Sequence, residues 1–124
     1  MSRDILFVAF GGMIGCVCRF LAVSFVVRLL PFTFPFGTFV VNVIGCFVMG
    51  AAVGLAERYL WMHHEWRMFL TAGFCGGFTT FSAFAFENVE LLLDKNYTIF
   101  AGYSLASFVF CLVATFVGLT VVRN

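Results

Sequence analysis

Hydrophobic and polar positions along this chain fall into long blocks, not into an alternating weave. Four stretches are free of charge but for a single Arg19: Ile5 to Val27, Phe36 to Ala56, Met68 to Phe86 and Tyr97 to Val122. They are 23, 21, 19 and 26 residues long. A helix needs about 20 residues to cross about 30 Å of hydrocarbon at about 1.5 Å per residue. Only helices or closed barrels satisfy every backbone donor and acceptor in lipid. The pattern therefore predicts an all-α integral membrane protein with helices over 5–27, 36–56, 68–86 and 97–122, forming one four-helix membrane domain across residues 1–124. Stop signals separate the helices: Arg28 through Pro31 and Pro35, then Glu57-Arg58 to Glu65 and Arg67, then Glu87 to Asp94, Lys95 and Asn96. The first stretch is long for a secretory leader, has no mature soluble chain after it, and is expected to be a retained helix.

Composition sharpens this picture. With 63% hydrophobic and 10% charged residues the chain cannot build the charged coat of a soluble domain, and a formal charge of +1 excludes a nucleic-acid footprint or a polybasic membrane arm. An even number of crossings puts both termini on one side. That side carries Arg3, Arg58, Arg67 and Arg123, the other Arg28 and Lys95. The bias leans toward cytoplasmic termini and leaves insertion in both orientations open. The cysteines Cys16, Cys18, Cys46, Cys75 and Cys111 all lie inside spans and read as small apolar side chains; Cys16-x-Cys18 lacks the partner pair of a zinc or iron–sulfur site.

Polar groups inside the spans are the candidate chemistry. The third span reads Gly73-Phe74-Cys75-Gly76-Gly77-Phe78-Thr79-Thr80-Phe81-Ser82-Ala83-Phe84. Two adjacent glycines, each costing about 1 kcal/mol relative to alanine in a helix interior, together with three hydroxyl residues make a poor continuous helix, so it is expected to break near its middle and to free carbonyls that can hold a cation. Thr38, Asn42 and Gly45 share one face of the second helix. Asn42 must bond another helix or face a wet pathway. In the fourth helix Tyr103, Ser107, Cys111 and Thr115 repeat at four-residue steps, a polar stripe that climbs about 6 Å per step. Arg19 has to face a cavity, a partner or the interface. Glycine pairs at Gly11/Gly15, Gly50/Gly54 and Gly73/Gly77 allow close helix approach, and four helices cannot enclose both a packed core and a passage, so at least a dimer is expected. Nineteen phenylalanines exceed what interfacial belts use. A guanidinium, a carboxamide, hydroxyls and phenyl edges, with no carboxylate at mid-span, favour a permeant anion held by mostly neutral donors.

These residues carry a resemblance. Gly11-Gly12-Met13-Ile14-Gly15 with Arg19, Pro35-Phe36-Gly37-Thr38 with Asn42 and Gly45, and Gly76-Gly77-Phe78-Thr79-Thr80-Phe81-Ser82-Ala83-Phe84 ahead of Glu87 resemble the Fluc (CrcB) family of fluoride channels over the whole chain. The resemblance implies a passive fluoride exporter of the bacterial inner membrane: a multi-pass, dual-topology homodimer of antiparallel subunits with two pores. It implies ring edges of Phe81 and Phe84 on the ion, the Asn42 amide as donor, and a polar track of Tyr103, Ser107 and Thr115 with Cys111 standing where a hydroxyl is usual. Thr38 and Ser82 join this pathway, with Arg19 and Glu87 toward its vestibule or mouth. It further implies a structural Na+ at the dimer centre, held by the Gly76 and Thr79 carbonyls of both subunits. The rival is a small four-helix proton-coupled drug or cation antiporter, which requires a carboxylate deep in the membrane; Glu87 and Glu90 are expected only at the end of the third helix. A haem-anchor subunit is disfavoured because His63 and His64 lie in a connection. No nucleophile, base and orienting group converge, so no enzyme activity is expected.

Overall fold

A computed structural model describes residues 2–123. All regular structure among them is helical: α1 (Ser2–Leu29), α2 (Phe36–Arg58), α3 (His64–Met68), a π-helical turn (Phe69–Cys75), α4 (Gly76–Phe78), α5 (Phe81–Leu93) and α6 (Tyr97–Arg123). Four spans are long and apolar enough to cross a membrane: α1, α2, the composite His64–Leu93 and α6. Each overruns its uncharged core, because a helix continues into the interface as long as its carbonyls find donors.

The spans associate as two parallel pairs, each drawn together by glycine. In the α1/third-span pair, a methyl added at Gly11 would collide with the Phe69 carbonyl, and one at Gly15 with that of Phe74. In the α2/α6 pair, Gly50 meets the Thr115 carbonyl and Gly118 that of Phe47. Helices gain little from apolar burial in lipid, so backbone-to-backbone approach through missing side chains supplies the dispersion that holds them. One end of the bundle is fastened by polar contacts: Arg58 Nη1 donates to the Val122 carbonyl at 2.9 Å, Glu57 meets Arg123 at 3.6 Å, and Asp4 meets His64 at 3.5 Å.

The third span is interrupted within the expected segment, at its threonines. Gly76 is α-helical (φ −61°, ψ −35°), whereas Thr79 (φ −87°, ψ 159°) and Thr80 (φ −150°, ψ 116°) are extended. Of the two adjacent glycines only Gly77 serves packing, lying on the α1 backbone at Gly12 and Cys16, while Gly76 meets nothing within 4 Å. The second half of this span also runs beyond the expected end at Phe86, to Leu93. Glu87 is therefore interior to this helix, which corrects its placement at a helix end, and Asn88 adds a second carboxamide to the spans beside Asn42.

Candidate functional site

The site is organised by the interruption. β-branched Thr79 and Thr80 follow two glycines, and the backbone leaves the helix where Asn42 offers a substitute for the lost ladder. Asn42 Oδ1 accepts from the Thr80 amide at 2.8 Å, and Asn42 Nδ2 donates to the Thr80 carbonyl at 3.1 Å. One carboxamide thus pairs with a residue as a neighbouring strand would. One turn further along the same face of α2, Gly45 leaves the space that the Thr79 methyl fills. The Thr80 hydroxyl then caps α5 by accepting from the Ala83 amide at 3.1 Å.

The carbonyls left behind follow from this wiring. In a continuous helix the Thr80 amide would bond to the Gly76 carbonyl, and that of Ala83 to the Thr79 carbonyl. Asn42 Oδ1 and Thr80 Oγ1 have taken those two amides. Gly76 is also exposed, with nothing within 4 Å of where a Cβ would stand. The Gly76 and Thr79 carbonyls therefore fit a hard cation, which takes oxygen ligands and is suited to unwound backbone at membrane depth.

Beside the break lies a cavity of about 530 Å³. Its lining includes Asn42, Thr79, Thr80, Phe81, Phe84 and Ser107, so the structure brings together residues from α2, the third span and α6 that are far apart in sequence. Ser107 Oγ is buried with no hydrogen-bond partner, and a buried hydroxyl in that condition costs free energy unless something accepts its proton. The Phe81 and Phe84 ring centroids stand 5.6 Å apart, and Phe81 is 78% exposed on the outer face of the protomer.

A second polar cluster lies beyond Phe84. The Tyr103 ring packs 5.0 Å from that of Phe84, and its hydroxyl donates to Glu87 Oε1 at 2.9 Å, while Thr38 Oγ1 donates to Glu87 Oε2 at 2.8 Å. Thr38 and Tyr103 are buried. Both carboxyl oxygens are thus engaged by neutral hydroxyls, which satisfies this polar group inside an apolar helix.

Several expected residues are not at the cavity. The Thr115 hydroxyl returns to the Cys111 carbonyl at 2.9 Å, four residues back in its own helix, and its carbonyl faces Gly50; it belongs to the α2/α6 seam. Ser82 is exposed, with its hydroxyl 3.3 Å from that of Thr80. Arg19 is half-buried on α1 and takes part in neither of the two ion pairs found among the described residues. The sequence reading passed over Thr80, which is 8% exposed and wired at three points, and Ser104, which lines the cavity and donates to Asn88 at 3.3 Å. Ser104 sits three residues before Ser107, a helical spacing that could have revealed it.

Comparisons with known proteins agree on one family. The family model for the CrcB-like protein, Camphor Resistance (CrcB), matches residues 6–119. The chain is 35% identical over 123 residues to the Fluoride-specific ion channel FluC of Leptospira interrogans serovar copenhageni, covering 99% of this chain and 97% of that protein. It is 44% identical over 120 residues to the protein of the same name from Geobacter sulfurreducens, covering 97% of each.

Proposed function

The chain belongs to the CrcB family of membrane proteins, and from that premise we propose that it is a fluoride-selective channel that exports the ion passively from the cytoplasm of a bacterial cell. The observation that carries the reading is the cavity where Asn42, Phe81, Phe84 and the unpartnered Ser107 hydroxyl converge. A small anion entering it exchanges water for phenyl edges and hydroxyl or amide protons, none of which carries a full charge that would trap it. The broken helix contributes as well. Its second half begins at Phe81 beside the cavity, and the amide groups and dipole of a helix N-terminus favour negative charge.

The working unit is an antiparallel homodimer in the inner membrane with two pores. The outward face bearing Gly76, Phe81 and Ser82 is exposed in the single protomer, and a partner subunit would cover it. Na+ would be held there by the Gly76 and Thr79 carbonyls of both subunits, where it fixes the two breaks against each other and is not transported. Tyr103, Thr38 and Glu87 would form the next station beyond Phe84, and Arg19 would raise anion concentration near one mouth.

The antiporter regains a carboxylate, because Glu87 is interior to the third span; full-length similarity to fluoride-specific channels nevertheless favours the channel. Liposomes loaded with fluoride, or with chloride as control, separate the two. A channel gives fast fluoride release without a proton gradient and negligible chloride release. Equal rates for the two halides would reject selectivity, and release that required a proton gradient would favour exchange.

A further inference from the structure

Three of the five cysteines, Cys46, Cys75 and Cys111, line the same cavity. Nothing in the anion pathway as described requires a thiol. The α2/α6 seam fixes two of them opposite each other. Gly50 touches the Thr115 backbone and Gly54 that of Leu119; one turn earlier on each of these parallel helices, Cys46 stands level with Cys111. Both side chains, and that of Cys75 on the third span, border the one cavity. All three are free.

We propose that Cys46 and Cys111 form a binding site for a two-coordinate thiophilic divalent cation of the mercury(II) class, inside the cavity. The chemistry narrows to this class in two steps. Among the described residues no three side chains of the His, Cys, Asp and Glu types converge closely enough to hold one metal ion. That disfavours zinc, which takes four ligands, and selects a soft ion satisfied by two sulfurs in line. Charge then selects the divalent ion. On binding, two S–H bonds ionise, two protons leave and two mercury–sulfur bonds form with no change of oxidation state. The product is formally neutral. A monovalent soft ion held by the same two thiolates would leave a net negative charge in a cavity walled by Phe84, Phe108 and Met49, where an uncompensated charge is costly. Occupancy also takes up part of the cavity that Ser107 and Phe84 line, so the metal obstructs ion passage; this consequence alone rests on the cavity being the fluoride pathway.

The test uses the purified full-length protein carrying Cys16→Ser and Cys18→Ser, titrated with mercuric chloride while the ultraviolet thiolate-to-metal charge-transfer band and the release of protons are followed. One mercury per chain and two protons per mercury are expected. The band is lost in Cys111→Ser and in Cys46→Ala, with Cys46→Ser as the substitute should the alanine variant fail to assemble, and it is kept in Cys75→Ala. No band, or an undiminished band in Cys111→Ser, overturns the site. Fluoride efflux from liposomes is read in parallel, each variant against its own untreated rate. Inhibition that vanishes with Cys111→Ser is expected. Binding without inhibition leaves the metal site standing and removes the cavity from the pathway, whereas inhibition that persists in Cys111→Ser assigns the block to another site and overturns this one.

Discussion

At the scale of single residues, Asn42 determines where the third span stops being a helix. Its carboxamide satisfies both backbone groups of Thr80, and an unmade hydrogen bond at a buried group costs about 1–3 kcal/mol. Asn42→Ala is therefore expected to lower the thermal midpoint in detergent and to abolish fluoride efflux. Asn42→Asp retains the acceptor for the Thr80 amide but turns a carboxylate oxygen toward the Thr80 carbonyl, so it should melt below the native protein as well. A native-like midpoint for Asn42→Ala would show that the interruption is held by something else. In the proposed pathway the phenyl rings would act differently, through their electropositive edges. Replacing Phe81 or Phe84 by Ile keeps the bulk and removes the edge. Efflux is expected to fall by at least about tenfold, the equivalent of about 1.4 kcal/mol in the barrier, while size-exclusion elution stays unchanged. Undiminished efflux would remove the rings from the mechanism.

At the scale of elements, neighbouring glycines do unlike work. A methyl at Gly77 would stand 3.1 Å from the Cys16 amide nitrogen, while one at Gly76 meets nothing within the protomer. Gly77→Ala should destabilise the protomer by about 1–3 kcal/mol, the usual cost of overpacking. Gly76→Ala should leave the protomer fold intact and weaken dimerisation or its dependence on sodium. Helical circular dichroism on heating, set beside the monomer–dimer ratio with and without sodium, distinguishes the two; equal melting losses would contradict the assignment. The α5–α6 connection gives a separate case. Lys95 sits in the left-handed region (φ 59°), and its amide bonds to the Leu92 carbonyl while that of Asn96 bonds to Leu91. Glycine relieves the Cβ conflict in this geometry, so Lys95→Gly should raise stability by up to about 1 kcal/mol, read as a higher thermal midpoint. The four spans were legible in the sequence because lipid demands long apolar helices, and the interruption was legible because glycines and hydroxyls cluster there. Which residues within that segment leave the helix was not, since the carboxamide that pairs with Thr80 comes from Asn42 on another helix. Glu87 was likewise misplaced because a charge usually ends a span, and only the Thr38 and Tyr103 hydroxyls permit it to remain inside one.

At the scale of the whole molecule, depth decides which symmetry can join two copies. A twofold axis normal to the membrane preserves depth, so it could bring like residues together at any level. A twofold axis in the membrane plane inverts depth, so it brings a residue onto its counterpart only near mid-bilayer. The interruption at Thr79 and Thr80 falls at the middle of the 30-residue third span, and the adjacent Gly76 surface is bare. An antiparallel pair would therefore place both sets of Gly76 and Thr79 carbonyls around one central point, where a single Na+ could bridge them, and would present the rest of each protomer at opposite depths. The basic residues oppose this only weakly: Arg3, Arg58, Arg67 and Arg123 against Arg28 and Lys95. Dual insertion predicts that a single cysteine introduced at Ser2, in a chain whose own cysteines have been replaced, is labelled by an impermeant maleimide from both sides of the membrane in comparable amounts. It also predicts that adding two lysines to the Arg28 connection, which balances the count, leaves the assembly antiparallel, whereas adding two beside Arg3 fixes one orientation and depresses dimer yield. Labelling confined to one side in the otherwise native sequence would overturn the antiparallel arrangement, and the shared central sodium site would fall with it.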